Sequence, residues 1–147
     1  MRILPAITDT DLAEVRALFT EYAAELQVDL CFQRFQEELA ALPGPYAPPK
    51  GRLFLAREEG TAAGCGAFRP LGDGICEMKR LYVRPRFRGR GIGRALATIL
   101  LREARRAGYG GMRLDTLESL GPALGLYASL GFHRVAPYYA NPLPRVF

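Results

Sequence analysis

Residues 84–94 read RPRFRGRGIGR. This arginine-dense, glycine-studded turn lies between a strand-like run, Ile75 to Val83, and a strongly amphipathic helical pattern that starts near Ile92. Strand, tight turn and helix in direct succession require a backbone that reverses without obstruction from side chains. Glycine supplies this because it lacks Cβ and tolerates positive φ. The same geometry turns backbone N–H groups toward one point and sets the partial positive charge of a helix N-terminus beside them. The result is a cradle for an anion, with phosphate or pyrophosphate as the natural guest.

Spacing separates the ways of building such a cradle. A P-loop needs GxxxxGK followed by Ser or Thr, and neither the lysine nor the hydroxyl is present. A dinucleotide fingerprint needs GxGxxG, but its last position falls on Arg94 when counted from Gly89 and on Leu96 when counted from Gly91. What remains is RxxGxG, formed by Arg88, Gly91 and Gly93, preceded by Leu81, Tyr82, Val83 and Pro85. This segment resembles the acetyl-CoA signature of the GCN5-related N-acetyltransferases (GNAT). A second element agrees: Leu126, Tyr127, Leu130, Gly131 and Phe132 are similar to the LYxxLGF segment that follows the penultimate strand in that family. Many members carry Asn seven residues before the tyrosine, where it contacts the pantetheine arm; Leu120 stands there in this chain.

Charge placement supports an anionic guest. No Asp or Glu occurs between Glu77 and Glu103, whereas Lys79, Arg80, Arg84, Arg86, Arg88, Arg90, Arg94 and Arg102 do, within a chain of net charge +5. A one-signed patch attracts a polyanion. Coenzyme A, with its pyrophosphate and 3′-phosphate, suits a local patch. Nucleic acid fits the charge alone, but no nucleic-acid-reading motif is present and only Tyr82 and Phe87 interleave the patch with aromatics. The expectation is therefore no nucleic-acid partner.

At 147 residues the length suits one compact domain, 1–147, able to bury roughly 70% of its unfolded surface. No apolar run approaches the 18 or more residues of a membrane span, and the hydrophobic start MRILPAITDTD has no cleavage-site pattern after it. A soluble, cytoplasmic protein without a membrane partner is expected. Cys31, Cys65 and Cys76 form no CxxC, and His133 is the only imidazole, so no metal site is expected.

Along the chain, Arg2 to Ala6 reads as a short strand. Thr8 with Asp11 resembles a capping box, ahead of a helix with Leu12, Val15, Phe19, Tyr22 and Leu26 on one face. A second helix is expected over Cys31 to Leu42. The prolines at 43, 45, 48 and 49 then demand a loop, and Tyr46 within it is placed either at a substrate entrance or in a structural spacer. Leu53 to Arg57 and Ala62 to Phe68 read as strands joined across Glu59 and Gly60, and a third strand, Ile75 to Val83, follows the turn at Gly72, Asp73 and Gly74. After the cradle, Ile92, Ala95, Leu96, Ile99 and Leu100 make one apolar helix face. Met112 to Leu117, a helix around Ala123 to Leu130, and Phe132 to Ala136 complete the pattern. Strand, loop, helix and strand in that order suggest a crossover unit with parallel pairing. The resemblance implies an α/β chain with the GNAT fold: a mixed, mostly antiparallel twisted sheet, flanked by helices, with a parallel strand pair splayed at the acetyl-CoA site.

For activity, the resemblance implies transfer of an acetyl group from acetyl-CoA, as co-substrate, to a primary amine of a small molecule or peptide by direct attack in a ternary complex. An amine attacks a thioester only when neutral, so a proton acceptor is needed. The family often uses a glutamate on the strand leading to the cradle, acting through water, which is Glu77 here; the alternative for Glu77 is an ion pair with Lys79 or Arg80. Strict alternation places Glu77 with Lys79, Leu81 and Val83 on one face unless a bulge re-aims the later residues. The family assigns oxyanion and pantetheine contacts to the strand backbone at Leu81, Tyr82 and Val83, and the pyrophosphate to Arg88, Gly89, Arg90, Gly91, Ile92, Gly93 and Arg94. Tyr127 is implied as the acid that returns a proton to the departing thiolate, against a reading as a core tyrosine. For the acceptor, Asp115 lies at the end of a strand, and Tyr138, Tyr139 and Asn141 offer aromatic surface and directed hydrogen bonds. Protein N-terminal or lysine acetylation, a non-catalytic acyl-CoA sensor and a nucleic-acid module are the other readings weighed. A homodimer is consistent with the family.

Overall fold

A computed structural model describes residues 1–26, 35–114 and 121–132, and the side chains of 121–124 are not described. The first helix, α1 (Asp9–Leu26), starts at the expected reciprocal cap: the Asp11 N–H donates to Thr8 Oγ1 at 3.1 Å, and the Thr8 N–H donates to Asp11 Oδ2 at 3.2 Å. The Ile7 N–H, the Arg57 guanidinium and the Thr8 N–H hold the Asp11 carboxyl down to about 2. Leu12, Val15, Leu18 and Phe19 are the buried face of α1, and Tyr22 is half-buried. The second helix, α2, is described over Phe35–Ala41. The proline-rich stretch after it makes one 3-10 turn, Gly44–Tyr46, and Tyr46 is buried with its ring edge-on to Phe19 at 6.2 Å. Tyr46 is therefore part of the core, not the wall of an entrance.

Among the described residues the sheet has five strands, β1 (Arg2–Pro5), β2 (Arg52–Glu58), β3 (Thr61–Gly72), β4 (Ile75–Val83) and β5 (Gly111–Leu114), in the order β1-β2-β3-β4-β5. All neighbours are antiparallel except β4 and β5, which run parallel. Both β hairpins turn through two residues at positive φ, Glu59 and Gly60, then Asp73 and Gly74, the backbone sense that matches strand twist. The parallel pair is connected by α3 (Ile92–Arg106), as the periodicity predicts.

Each face of the sheet has its own core. Leu53, Leu55, Cys65, Ala67 and Tyr82 pack with α1 and α2, while Phe54, Ala56, Phe68, Cys76 and Met78 pack with Ile92, Leu96 and Leu100 of α3. The last described helix, α4 (Gly121–Ser129), joins the α3 side through Tyr127 and Leu130. The expected strand from Phe132 to Ala136, and the Met112–Leu117 strand beyond Leu114, extend outside the described residues.

Strict alternation fails in β4. Cys65 pairs with Tyr82 but Ala67 pairs with Lys79, so Gly66 faces both Arg80 and Leu81 across a bulge. Arg80 carries φ 60 there, a conformation that costs a non-glycine residue roughly 1–2 kcal/mol. The bulge reverses the side-chain sense of the residues beyond it. Leu81 and Val83 pack with Met78 on the α3 side, opposite to their expected grouping with Glu77 and Lys79, while Tyr82 joins the α1 side. Pairing with β5 reaches Met78↔Leu114. From Lys79 to Val83, β4 has β3 on one edge and no described strand on the other.

Candidate active site

Beyond β4 the chain makes a 3-10 turn, Pro85–Phe87, then the cradle. Gly89 and Gly91 take φ 82 and 80, left-handed values that explain glycine at both positions, and a Cβ at either would meet nothing within 4 Å. The space above them is open. Gly91 is the N-cap of α3 and supplies no side-chain cap, so the first-turn N–H groups of Ile92, Gly93 and Arg94 have no capping side chain. Bare amides, a helix dipole and room for a ligand coincide at this point. Ile92 is buried and anchors the turn, whereas Arg88, Gly89, Arg90 and Gly91 are exposed.

The arginines are less free than their spacing suggests. The Arg88 guanidinium donates to Glu25 at 2.6 and 2.7 Å and to the Val83 carbonyl at 2.9 Å. Arg84 forks onto Glu21, and Arg80 forks onto Glu38 with both contacts at 3.0 Å. Acids from α1 and α2 thus answer charges that look unopposed in the sequence. Arg86 and Arg90 instead stack on Phe87 at 4.6 and 5.5 Å, and Arg94 donates to Ser129 Oγ at 2.8 Å. That last bond, with Leu126 packed near Gly93, seats α4 on the first turn of α3.

Tyr127 arrives by that docking. Its ring meets Phe132 at 5.9 Å, and burial, with a smaller contribution from Tyr22, pushes its phenol above the ordinary value. It therefore stays protonated across the neutral range. Tyr22, legible in the sequence only as a helix-face residue, also stacks edge-on to Tyr82 at 5.9 Å. Tyr82 donates to Glu21 at 3.3 Å, and burial first, then Glu21, pushes its phenol up to about 12. The Leu81–Val83 backbone, which carries Tyr82, leads through the Pro85–Phe87 turn into the cradle.

Glu77 is fully buried on the α1–α2 side of β4. Arg69, opposite it on β3, donates through Nε and Nη2 to Oε1, each at 2.9 Å, and Lys79 Nζ stands 3.9 Å from the same oxygen. The ion-pair alternative for Glu77 is thus present with Lys79, while Arg80 takes Glu38. Arg69 was invisible to register counting: a plain count back from the two-residue turn sets Pro70 opposite Glu77, and the irregularity between Pro70 and Gly72 shifts it by one. Cys76 faces the other side, and burial pushes its thiol up to about 11, away from nucleophilic use. Cys65 is likewise buried and its thiol raised. Asp115, Leu120, Tyr138, Tyr139 and Asn141 lie outside the described residues. Among the described residues no group of acids, cysteines and histidine is placed to hold a metal, and no helix is long and apolar enough to cross a membrane.

This arrangement has relatives. Residues 12–132 match the profile of the Acetyltransferase (GNAT) family. An uncharacterised N-acetyltransferase of Schizosaccharomyces pombe is 47% identical over 138 residues, covering 92% of this chain and 85% of its own length. Among solved structures, a protein of Klebsiella pneumoniae described as an acyl-CoA N-acyltransferase is 30% identical, with a TM-score of 0.72, covering 99% of this chain and 92% of that one. AAC(6')-Iy, solved with a CoA bisubstrate analogue, shares the fold at a TM-score of 0.66 and 22% identity, covering 95% of this chain and 97% of that one. The bulged β4, the glycine turn and the parallel β4–β5 pair are the frame of the site, and the chain that builds it belongs to the GNAT family of N-acetyltransferases.

Proposed function

We propose that this protein transfers the acetyl group of acetyl-CoA to a primary amine of a small molecule or peptide, by direct attack in a ternary complex. The observation that carries this reading is the continuity of one edge. The run of β4 after the Arg80 bulge, which has no described strand on its outer edge, leads within a few residues into the uncapped amides of the cradle. The cradle suits a pyrophosphate, and the β4 edge suits an extended amide-bearing arm that can pair as a strand would. Residues Gly89 to Arg94 would hold the first, and the Leu81–Val83 backbone the second.

Acetyl-CoA supplies an activated thioester when bound. The protein then has three tasks: to take a proton from the amine, to stabilise charge on the carbonyl oxygen, and to return a proton to sulfur. Glu77 serves the first. Its Oε1 is engaged by Arg69 and its side chain is fully buried, so it draws the proton through water and not by direct contact. The β4 amides serve the second because a bulged edge with no described neighbouring strand leaves donors without the sheet acceptor they would otherwise have. Tyr127 serves the third, its raised phenol being a donor at neutral pH.

The test is a screen of primary amines that follows free thiol release from acetyl-CoA, with calorimetry of acetyl-CoA, CoA and a short RNA alongside. Turnover of an amine together with CoA binding is the expected result. CoA binding with no turnover of any amine or peptide would reduce the protein to a sensor. Tight RNA binding without CoA binding would overturn the reading altogether.

A further inference from the structure

Among the described residues, Glu77, Glu38, Arg69, Lys79 and Arg80 meet on the α1–α2 side of β4, and their hydrogen-bonded forks leave Lys79 out. Glu77 is taken by the Arg69 fork and Glu38 by the Arg80 fork. Arg80 is held further by the Phe35 ring, 5.5 Å from its guanidinium carbon. Lys79 has no such partner among the described residues. Its side chain is 9% exposed, and its ammonium has one contact there, the 3.9 Å approach to Glu77 Oε1, which is too long for a hydrogen bond. With its stem covered and no acceptor among the described residues, the ammonium has its donors left for solvent or for an incoming acceptor. Burial first, and Arg80 second, push it down to about 8.

Position supplies the second part of the argument. Lys79 is the first residue of β4 beyond the last described pair with β5, and it shares its side of the sheet with Glu77. An amine delivered to Glu77 through water therefore places the neighbouring atoms of its molecule beside the Lys79 ammonium. We propose that Lys79 is an acceptor-binding residue and that the acceptor is an amino carboxylate, with the amine presented to Glu77 and the carboxylate taken by Lys79. This deepens the acetyl-transfer reading and rests on it. The excess positive charge also disfavours polycationic acceptors, because a second ammonium would sit against Lys79, Arg69 and Arg80.

The experiment compares matched acceptors in the thiol-release assay: amino acids, their carboxamides, their decarboxylated amines and a polyamine, on the wild-type protein, Lys79→Met and Lys79→Arg. A charge-assisted contact predicts a preference for the carboxylate of about 10- to 100-fold in kcat/KM, carried mainly in KM. Lys79→Met abolishes the preference, Lys79→Arg retains part of it, and acetyl-CoA affinity stays constant. Carboxamides turned over as well as the acids, or a preference that survives in Lys79→Met, would overturn the proposal. Calorimetry of the desamino carboxylic acids keeps the two readings apart. Binding that depends on Lys79 in a protein that acetylates no amine leaves the carboxylate subsite standing and removes the transfer reading. Amine acetylation with no Lys79-dependent carboxylate binding does the reverse.

Discussion

Lys79→Met should make the protein more stable, and the gain should fade as pH rises. The Lys79 ammonium is depressed from 10.5 to about 8, with desolvation the largest cause. That is about 2.5 units, and at roughly 1.4 kcal/mol per unit the folded state bears about 3 kcal/mol for keeping this group charged. Below pH 8 both folded and unfolded chains hold the proton, so the full cost is present. Between 8 and 10.5 the unfolded chain binds more protons than the folded one, and the stability contribution of this group rises with pH. Above 10.5 both are neutral and the cost is gone. Methionine fills a similar volume, needs no hydrogen-bond acceptor and suits irregular gaps. Urea unfolding of both proteins at pH 7 and at pH 10 isolates the residue, because every other titrating group cancels in the difference. The variant should gain about 2–3 kcal/mol at pH 7, or about 5–10 °C in Tm, and only about 0.8 kcal/mol at pH 10. A variant less stable than wild type at pH 7, or a gap unchanged between the two pH values, would refute the reasoning. A residue kept at such a cost to stability is the kind expected at a functional site.

Three further outcomes concern the site. Tyr127→Phe should lower kcat by about 10- to 100-fold with CoA affinity unchanged; turnover at the wild-type rate would return Tyr127 to the core. Gly91→Glu forces a side chain onto φ 80 and puts a carboxylate where the cradle amides converge, so calorimetry should find acetyl-CoA affinity reduced by at least about 100-fold from strain and like charge together. Binding at wild-type strength would place the pyrophosphate elsewhere. Glu38→Ala removes the fork from Arg80, which is 5% exposed. Its loss should destabilise by about 3 kcal/mol in urea unfolding and weaken acetyl-CoA binding, because Arg80 is the bulge residue; a change under about 1 kcal/mol would show the pair to be dispensable.

Sequence periodicity located β2, β3, β4 and α3 closely because each carries a local signal. β4 is bounded by a turn and a proline, α3 begins at the glycine N-cap, and the Thr8–Asp11 cap marks the start of α1. Tyr46 was ambiguous in a proline-rich loop because its burial depends on Phe19, 27 residues earlier, and no local pattern encodes that meeting. Strict alternation along β4 fails at Leu81 and Val83, where the bulge at Arg80 re-aims them; β4 itself has no glycine or proline there, Gly66 stands opposite on β3, and the Glu38 fork and the Phe35 ring hold an ordinary arginine at φ 60.

What the sequence determined alone is the cradle and its place in the chain: strand, RxxGxG and helix are contiguous, so their geometry comes from local φ preferences and one helix dipole. Tertiary structure decided how the charge is distributed. The basic run looked unopposed, yet Glu21, Glu25 and Glu38 come from helices some 40 to 60 residues away and take Arg84, Arg88 and Arg80, and Arg69 takes Glu77 across a shifted register. Coulomb energy depends on distance in space and on burial, neither of which sequence separation measures. Only the fold could therefore show that, among the described residues, the cation left without a hydrogen-bonded partner inside this cluster is Lys79.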